Sequence, residues 1–311
     1  MKTKNKIVIC DGGDFPAISK ICSQYACGIE VQGFYKLFSE QEIQAAEAAI
    51  AAPLSIFTPR FLHAPFCDLC PGSCDPLVRE VARQRYKRAC ATATRLGMSG
   101  VIFHHGYAPN TSSFDEWIKR STDFWLGLHE ETGAKLHFYI ENLLERSPEL
   151  LGDLIRQMDH PLIGACLDVG HAHAYSTTPV LEWIQTLGET IHYVHLHDNF
   201  GQKDDHLGLG CGTIPVEIMI GELVAKAPEA YWAIETNEQG IHESFAWLAS
   251  PANRVGVVDD EERLQRLRRA GVISGGTGRI DLQKLGRPRA LAGPGDLLSQ
   301  ALQKDREESR Y

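Results

Sequence analysis

The runs His137-Phe138-Tyr139-Ile140-Glu141, Ile163-Gly164-Ala165-Cys166-Leu167-Asp168, Tyr193-Val194-His195-Leu196-His197 and Tyr231-Trp232-Ala233-Ile234-Glu235 share one grammar. Each is apolar and closes on a carboxylate or an imidazole. Short β-branched and aromatic runs predict strands. A buried carboxylate at such a strand end is costly unless it is paired or bound to an ion. Oxygen and imidazole donors suit Zn²⁺, Mn²⁺ or Fe²⁺. In a parallel barrel the strand C-termini converge on one mouth, and chemistry is done there.

Working outward, apolar runs predict strands at 7–10, 28–32, 54–63, 100–104, 135–141, 163–168, 191–197 and 231–235. Amphipathic stretches predict helices at 16–26, 40–52, 76–96, 114–132, 148–158, 180–187, 216–226 and 242–248. Ser39, Asp75, Ser147 and Thr178 stand where N-caps belong, and Pro76, Pro148 and Pro179 suit first-turn positions. Eight strand–helix alternations match an α/β chain folded as a (β/α)₈ TIM barrel over residues 1–250. A doubly wound open sheet would use similar elements. Residues 251–311 change character. A charged helix-like run at 259–269 gives way to a Gly/Pro-rich tail that includes Ser274-Gly275-Gly276-Thr277-Gly278. That stretch lacks the lysine of a phosphate loop, and the whole segment reads as a C-terminal extension.

Bulk properties narrow the function. The 311 residues are 43% hydrophobic and 23% charged, enough for a packed core, and the formal charge of −9 argues against indiscriminate polyanion binding. No apolar run reaches membrane-span length, and the short apolar stretch behind the basic start is no signal peptide. Nine scattered cysteines then read as reduced thiols of a cytoplasmic protein. Cys67, Cys70 and Cys74 have ligand-like spacing but no fourth cysteine nearby.

Further donors join the strand-end set. Asp168 and His171 flank the turn that Gly170 permits, so both can face one ion. His195 and His197 share one face of a strand, and His195 is the preferred ligand of the two. Asp204 and His206 follow a polar loop and precede the glycine-rich 208–212 turn. In the first half, His63 and His104 end strands three and four. His105, Asn142 and His197, next to these strand ends, are candidate substrate contacts.

From Ile7 to Leu248 these motifs resemble the xylose-isomerase-like superfamily of TIM barrels, most specifically from Glu141 to Glu235. The resemblance implies a metal-dependent enzyme. In its sugar epimerases, Glu141, Asp168, His195 and Glu235 would hold one divalent ion and His171 would bind substrate. Glu141 and Glu235 would move the substrate proton through a metal-stabilised enediolate. This makes Glu141, Glu235 and His171 the expected catalytic residues. The chain also resembles endonuclease IV, an abasic-site nuclease with three zinc ions. That ligand set would map onto His63, His104, Glu141, Asp168, His171, His195, Asp204, His206 and Glu235, with no position lost. The 11–16 loop, the Asn142-Leu143-Leu144 run and Phe66 depart from the nuclease's DNA-gripping pattern.

The leading expectation is therefore a sugar or sugar-phosphate isomerase or epimerase, and the alternative a multi-zinc phosphoesterase. The cofactor is a divalent metal, zinc first and Mn²⁺, Mg²⁺, Fe²⁺ or Co²⁺ after it, as one to three ions. The partner is a small polyol or sugar phosphate, or DNA under the alternative. No membrane is involved, and a homo-oligomer is compatible with the family.

Overall fold

A computed structural model describes residues 6–250 apart from Asn110, Ser112 and Ala134, so the 251–311 extension and its glycine-rich stretch lie outside the described residues. Eight parallel strands close into a barrel: β1 (Ile7–Cys10), β2 (Gly28–Val31), β3 (Arg60–His63), β4 (Gly100–His104), β5 (His137–Glu141), β6 (Ile163–Asp168), β7 (Ile191–Leu196) and β8 (Tyr231–Ile234). Pairing of Val8 with Ala233 and Ile9 with Ile234 seals the ring.

The surrounding helices are α1 (Phe15–Tyr25), α2 (Glu40–Leu54), α3 (Pro76–Arg95), α4 (Phe114–Thr132), α5 (Glu149–Met158), α6 (Val169–Tyr175), α7 (Val180–Leu187), α8 (Val216–Lys226) and α9 (Glu238–Ala249). Their starts follow local chemistry. Ser39 and Glu42 form a reciprocal capping box at α2, and Asp75 caps α3 ahead of Pro76. Two expected caps differ. Pro148 and Pro179 themselves occupy the cap positions of α5 and α7, so Ser147 and Thr178 stand one residue too early. The expected strand at 54–63 is also shorter. Leu54 closes α2, a turn follows, and β3 begins at Arg60.

Strand alternation divides the core in two. Outward residues such as Ile9, Ile29, Leu62, Phe103, Phe138 and Leu167 pack against the helices together with Trp117, Trp125 and Trp183. Inward residues Val8, Cys10, Phe61, Ile102, Tyr139, Cys166, Tyr193 and Ala233 fill the barrel. Phe61 stands edge-on to Tyr139, Tyr193 and Tyr231 at centroid separations of 5.8, 5.0 and 4.9 Å. Gly100 makes room for this aromatic plug, since a Cβ there would press on the Tyr139 ring. The polar side chains that rest directly on the plug, among them Glu30, Glu141, Asp168 and His195, are buried and so sit in a low-dielectric setting.

Phe61→Ala would leave a cavity in this plug. A loss of about 3–5 kcal/mol of stability is expected, read as a lower chemical-denaturation midpoint with the far-ultraviolet spectrum unchanged before the transition.

Candidate metal centre

One step above the plug, the inward positions turn polar. His63, His104, Glu141, Asp168 and His195 end β3 to β7 or lie one residue short of the end, and all five are buried. Strand register levels them: His104 pairs with Glu141, and Asp168 with His195. Glu235 follows directly on β8, its backbone N–H donating to Leu196 O. Asp204 and His206 reach the same mouth on the loop after β7, where a bridge between Asp198 and Leu207 pins the loop down. Asp198 fastens the next turn as well, accepting from the backbone N–H groups of Gly210, Gly212 and Ile214.

All nine residues expected as ligands therefore lie at one barrel mouth, linked by short donor–donor distances. His63 Nε2 and His104 Nε2 lie 3.2 and 3.3 Å from Glu141 Oε2. His195 Nδ1 lies 3.1 Å from Glu141 Oε1, 3.3 Å from Glu235 Oε2 and 3.7 Å from Asp168 Oδ2. His171 Nε2 and His206 Nε2 lie 3.2 and 2.8 Å from Asp204 Oδ2. Two donors bound tetrahedrally to one zinc at about 2.1 Å stand roughly 3.4 Å apart. His63, His104 and Glu141 bring three donor atoms within 4.8 Å of one another, as do Glu141, Asp168 and His171, and His197, His206 and Glu235, so the donor set fits divalent ions. Glu141 joins the first two groups through its two oxygens.

The histidines are aimed by their second nitrogens. His63 Nδ1 faces Ala64 O at 2.9 Å, His171 Nδ1 faces Asn142 O at 3.0 Å, and His206 Nδ1 faces Glu235 O at 3.1 Å. A carbonyl only accepts, so Nδ1 carries the proton and Nε2 presents its lone pair to the mouth. Asp168 is held as firmly. Asn142 donates to its carbonyl and accepts from its N–H, while Asp168 Oδ1 caps α6 by accepting from His171 N at 2.6 Å.

The electrostatics follow from burial. Burial opposes charge on Glu141 and Asp168, yet the imidazoles around them hold both carboxyls well below the usual range. Burial likewise disfavours the charged forms of His171 and His206. Asp168 and Asp204 nevertheless carry His171 up to about 10, and Asp204 and Glu235 carry His206 to about 9.

The candidate substrate contacts are placed otherwise. Asn142 spends its side chain on the Asp168 backbone. His105 is not brought to the mouth; it is fully buried, with Nε2 2.6 Å from Glu145 Oε1 and its ring against Trp117. His197 is buried within the cluster, 3.1 Å from both oxygens of Asp168 and stacked on His206, and a Cβ on Gly170 would overlap its ring. Cys67, Cys70 and Cys74 join none of the ligand groups found among the described residues. The sequence reading passed over Cys10, Cys166, Glu30 and Gln32. Cys10 forms a candidate ligand group with His195 and Glu235, and Cys166 one with Glu141 and His195, while Glu30 contacts His195 and Gln32 Nε2 donates to Glu235 Oε1 at 2.6 Å.

The fold and this mouth define a class. The chain belongs to the xylose isomerase-like TIM barrels, whose family model matches residues 26–250. Among individual proteins, it is 30% identical to the uncharacterized protein MJ1311 of Methanocaldococcus jannaschii over 49% of this chain, and so spans little more than half, 56%, of that relative. Three solved structures share the fold. A D-tagatose 3-epimerase-like protein has a TM-score of 0.64 at 21% identity, covering 85% of this chain and 98% of that one. The TTHB071 protein of Thermus thermophilus, soaked with ZnCl₂, has 0.63 at 21%, covering 80% and 98%. Endonuclease IV of the same organism has 0.55 at 18%, covering 78% and 98%. At these identities the likeness speaks for the fold. Among the described residues no helix is long and apolar enough to cross a membrane.

Without metal, the raised His171 and His206 values stabilise the fold fully below pH 6.5, and that contribution is lost as pH rises through about 9 to 10. An ion must displace the same protons. Zinc added at pH 7.5 in weak buffer should therefore release protons to an indicator dye, and apparent zinc affinity should climb with pH up to about 9. Uptake without proton release would contradict this arrangement.

Proposed function

We propose that this chain is a multi-metal phosphoester hydrolase. The observation that carries the reading is the pair of donor groups beyond the central one. A single ion needs only Glu141, Asp168, His195 and Glu235. Here His63 and His104 converge on the far oxygen of Glu141, and His171, Asp204 and His206 build a further group toward solvent.

Charge supports the same reading. Glu30, Glu141, Asp168, Asp204 and Glu235 put five carboxylates in and beneath the mouth. One dication balances two of these negative charges, and the raised imidazoles of His171 and His206 offset others. Three dications leave the mouth net positive, as a phosphoester requires. When bound, such ions supply positive charge for the phosphoryl oxygens and lower the pKa of water.

The chain's own residues do the rest. Glu141 bridges two groups and fixes their spacing. His206, with 39% of its side chain exposed, stands where substrate enters. Tyr35 and Phe66 form a wall on the β3 side. Their rings stack at 5.4 Å, and Phe66 lies 4.8 Å over His104, shielding that imidazole from water. Tyr175 flanks His171 on the other side. The cup between these walls suits a small phosphoester, whereas the 11–16 loop and Phe66 lack the nuclease's means of gripping duplex DNA.

The isomerase reading favoured by the sequence keeps one observation of its own. Glu141 and Glu235 both approach His195 Nδ1, at 3.1 and 3.3 Å, as an acid–base pair flanking one ion would.

Elemental analysis of protein stripped with chelator and reloaded should find two or three zinc ions per chain. The loaded protein should then hydrolyse bis(p-nitrophenyl) phosphate. A single ion together with turnover of a neutral ketose would establish the isomerase instead. His206→Ala should lower hydrolysis by about 100-fold or more, the scale on which a lost electrostatic stabiliser registers, while lowering one-ion isomerisation much less.

A further inference from the structure

His195 breaks the rule that governs its neighbours. His63, His171 and His206 each rest Nδ1 on a backbone carbonyl and present Nε2 to the mouth. His195 is turned round. Its Nδ1 faces Glu141 and Glu235, and its Nε2 points away from the mouth, to a carboxylate. That carboxylate is Glu30, wholly buried on the inward face of β2, with oxygens 3.0 and 3.2 Å from Nε2.

Glu30 is itself clamped. Tyr193 Oη donates to its Oε2 at 2.7 Å, and Gln32 Nε2 donates to its Oε1 at 3.1 Å. The same Gln32 nitrogen donates to Glu235 Oε1 at 2.6 Å. One connected set thus runs from the aromatic plug, through Tyr193 and Glu30, to His195, and through Gln32 to Glu235. A buried carboxylate in such a position is expensive unless each oxygen is satisfied, and here each oxygen is.

Resting on the metal reading above, we infer that Glu30 is a positioning residue that fixes His195 as an Nδ1 ligand. Accepting from Nε2–H holds the imidazole in the one tautomer whose Nδ1 lone pair faces the mouth, and the negative charge strengthens that nitrogen as a donor. Tyr193 and Gln32 fix Glu30 in turn. Through Gln32 the same device orients Glu235, so β2, which ends in no ligand, still shapes the centre.

Zinc affinity measured by competition with a chromophoric chelator tests this without any substrate. Glu30→Gln preserves shape and should weaken the tightest zinc site by about 10–100-fold. Tyr193→Phe, which removes only the clamp, should weaken it in the same direction by less. Long-range ¹H–¹⁵N correlation spectra should show His195 as the Nε2–H tautomer in the zinc-loaded wild type and a redistributed signal in Glu30→Gln. A purely structural role for Glu30 would lower the thermal midpoint of metal-free protein and leave affinity and tautomer unchanged, and that result overturns the inference. Wild-type protein that binds no zinc overturns the metal reading itself. Wild-type binding that both variants match overturns this inference alone.

Discussion

The organising constraint is a carboxylate with nowhere to discharge its charge. Glu141 is buried at the end of β5 above an aromatic plug, and four imidazoles, those of His63, His104, His171 and His195, stand within 3.1 to 3.5 Å of its oxygens. Asp168, Asp204, Glu30 and Glu235 share the compensation, and each imidazole that gives up its proton leaves a lone pair that needs a partner. A cation satisfies all of them together, which is why donors this dense and this buried point to bound ions more strongly than any one spacing does. The helices, the capped loops and the strand register serve to hold that density in place.

Much of this was legible in the sequence because barrel geometry turns a local pattern into a global position. An apolar run ending in Glu, Asp or His fixes strand, direction and mouth at once, so residues as far apart as His63 and Glu235 can be assigned to one cavity without knowledge of their contacts. The parts that escaped have no such local sign. Glu30 stands inside the short run Gly28-Ile29-Glu30-Val31, and its partners Tyr193 and His195 lie more than 160 positions away. Helix α6 is seven residues long and carries Gly170, too short for a helical period to show. The expected strand at 54–63 ran long because Leu54 and Phe57 are as apolar as strand residues while serving the end of a helix and a turn.

His105 and Asn142 teach the complementary lesson. Both adjoin ligands in the chain, and adjacency suggested contact with substrate. At a strand end, however, successive side chains point to opposite sides. The neighbour of an inward ligand therefore faces away from the mouth. Asn142 uses that position to lock the Asp168 backbone, and His105 uses it to pair with Glu145 beside Trp117. Support of this kind is what keeps donors within tenths of an ångström of a productive geometry.

The number of ions is where physics separates the two chemistries that the fold hosts. In a one-ion enzyme, His63 and His104 would be two buried imidazoles sharing the outer oxygen of a carboxylate whose other oxygen already serves the ion. His104, whose pKa burial presses down, would then be a neutral donor aimed at an already occupied acceptor. Apolar residues would fill that space at lower cost. The His171, Asp204 and His206 group would be redundant in the same way. Under the proposed hydrolase reading, a second and a third ion would remove both costs.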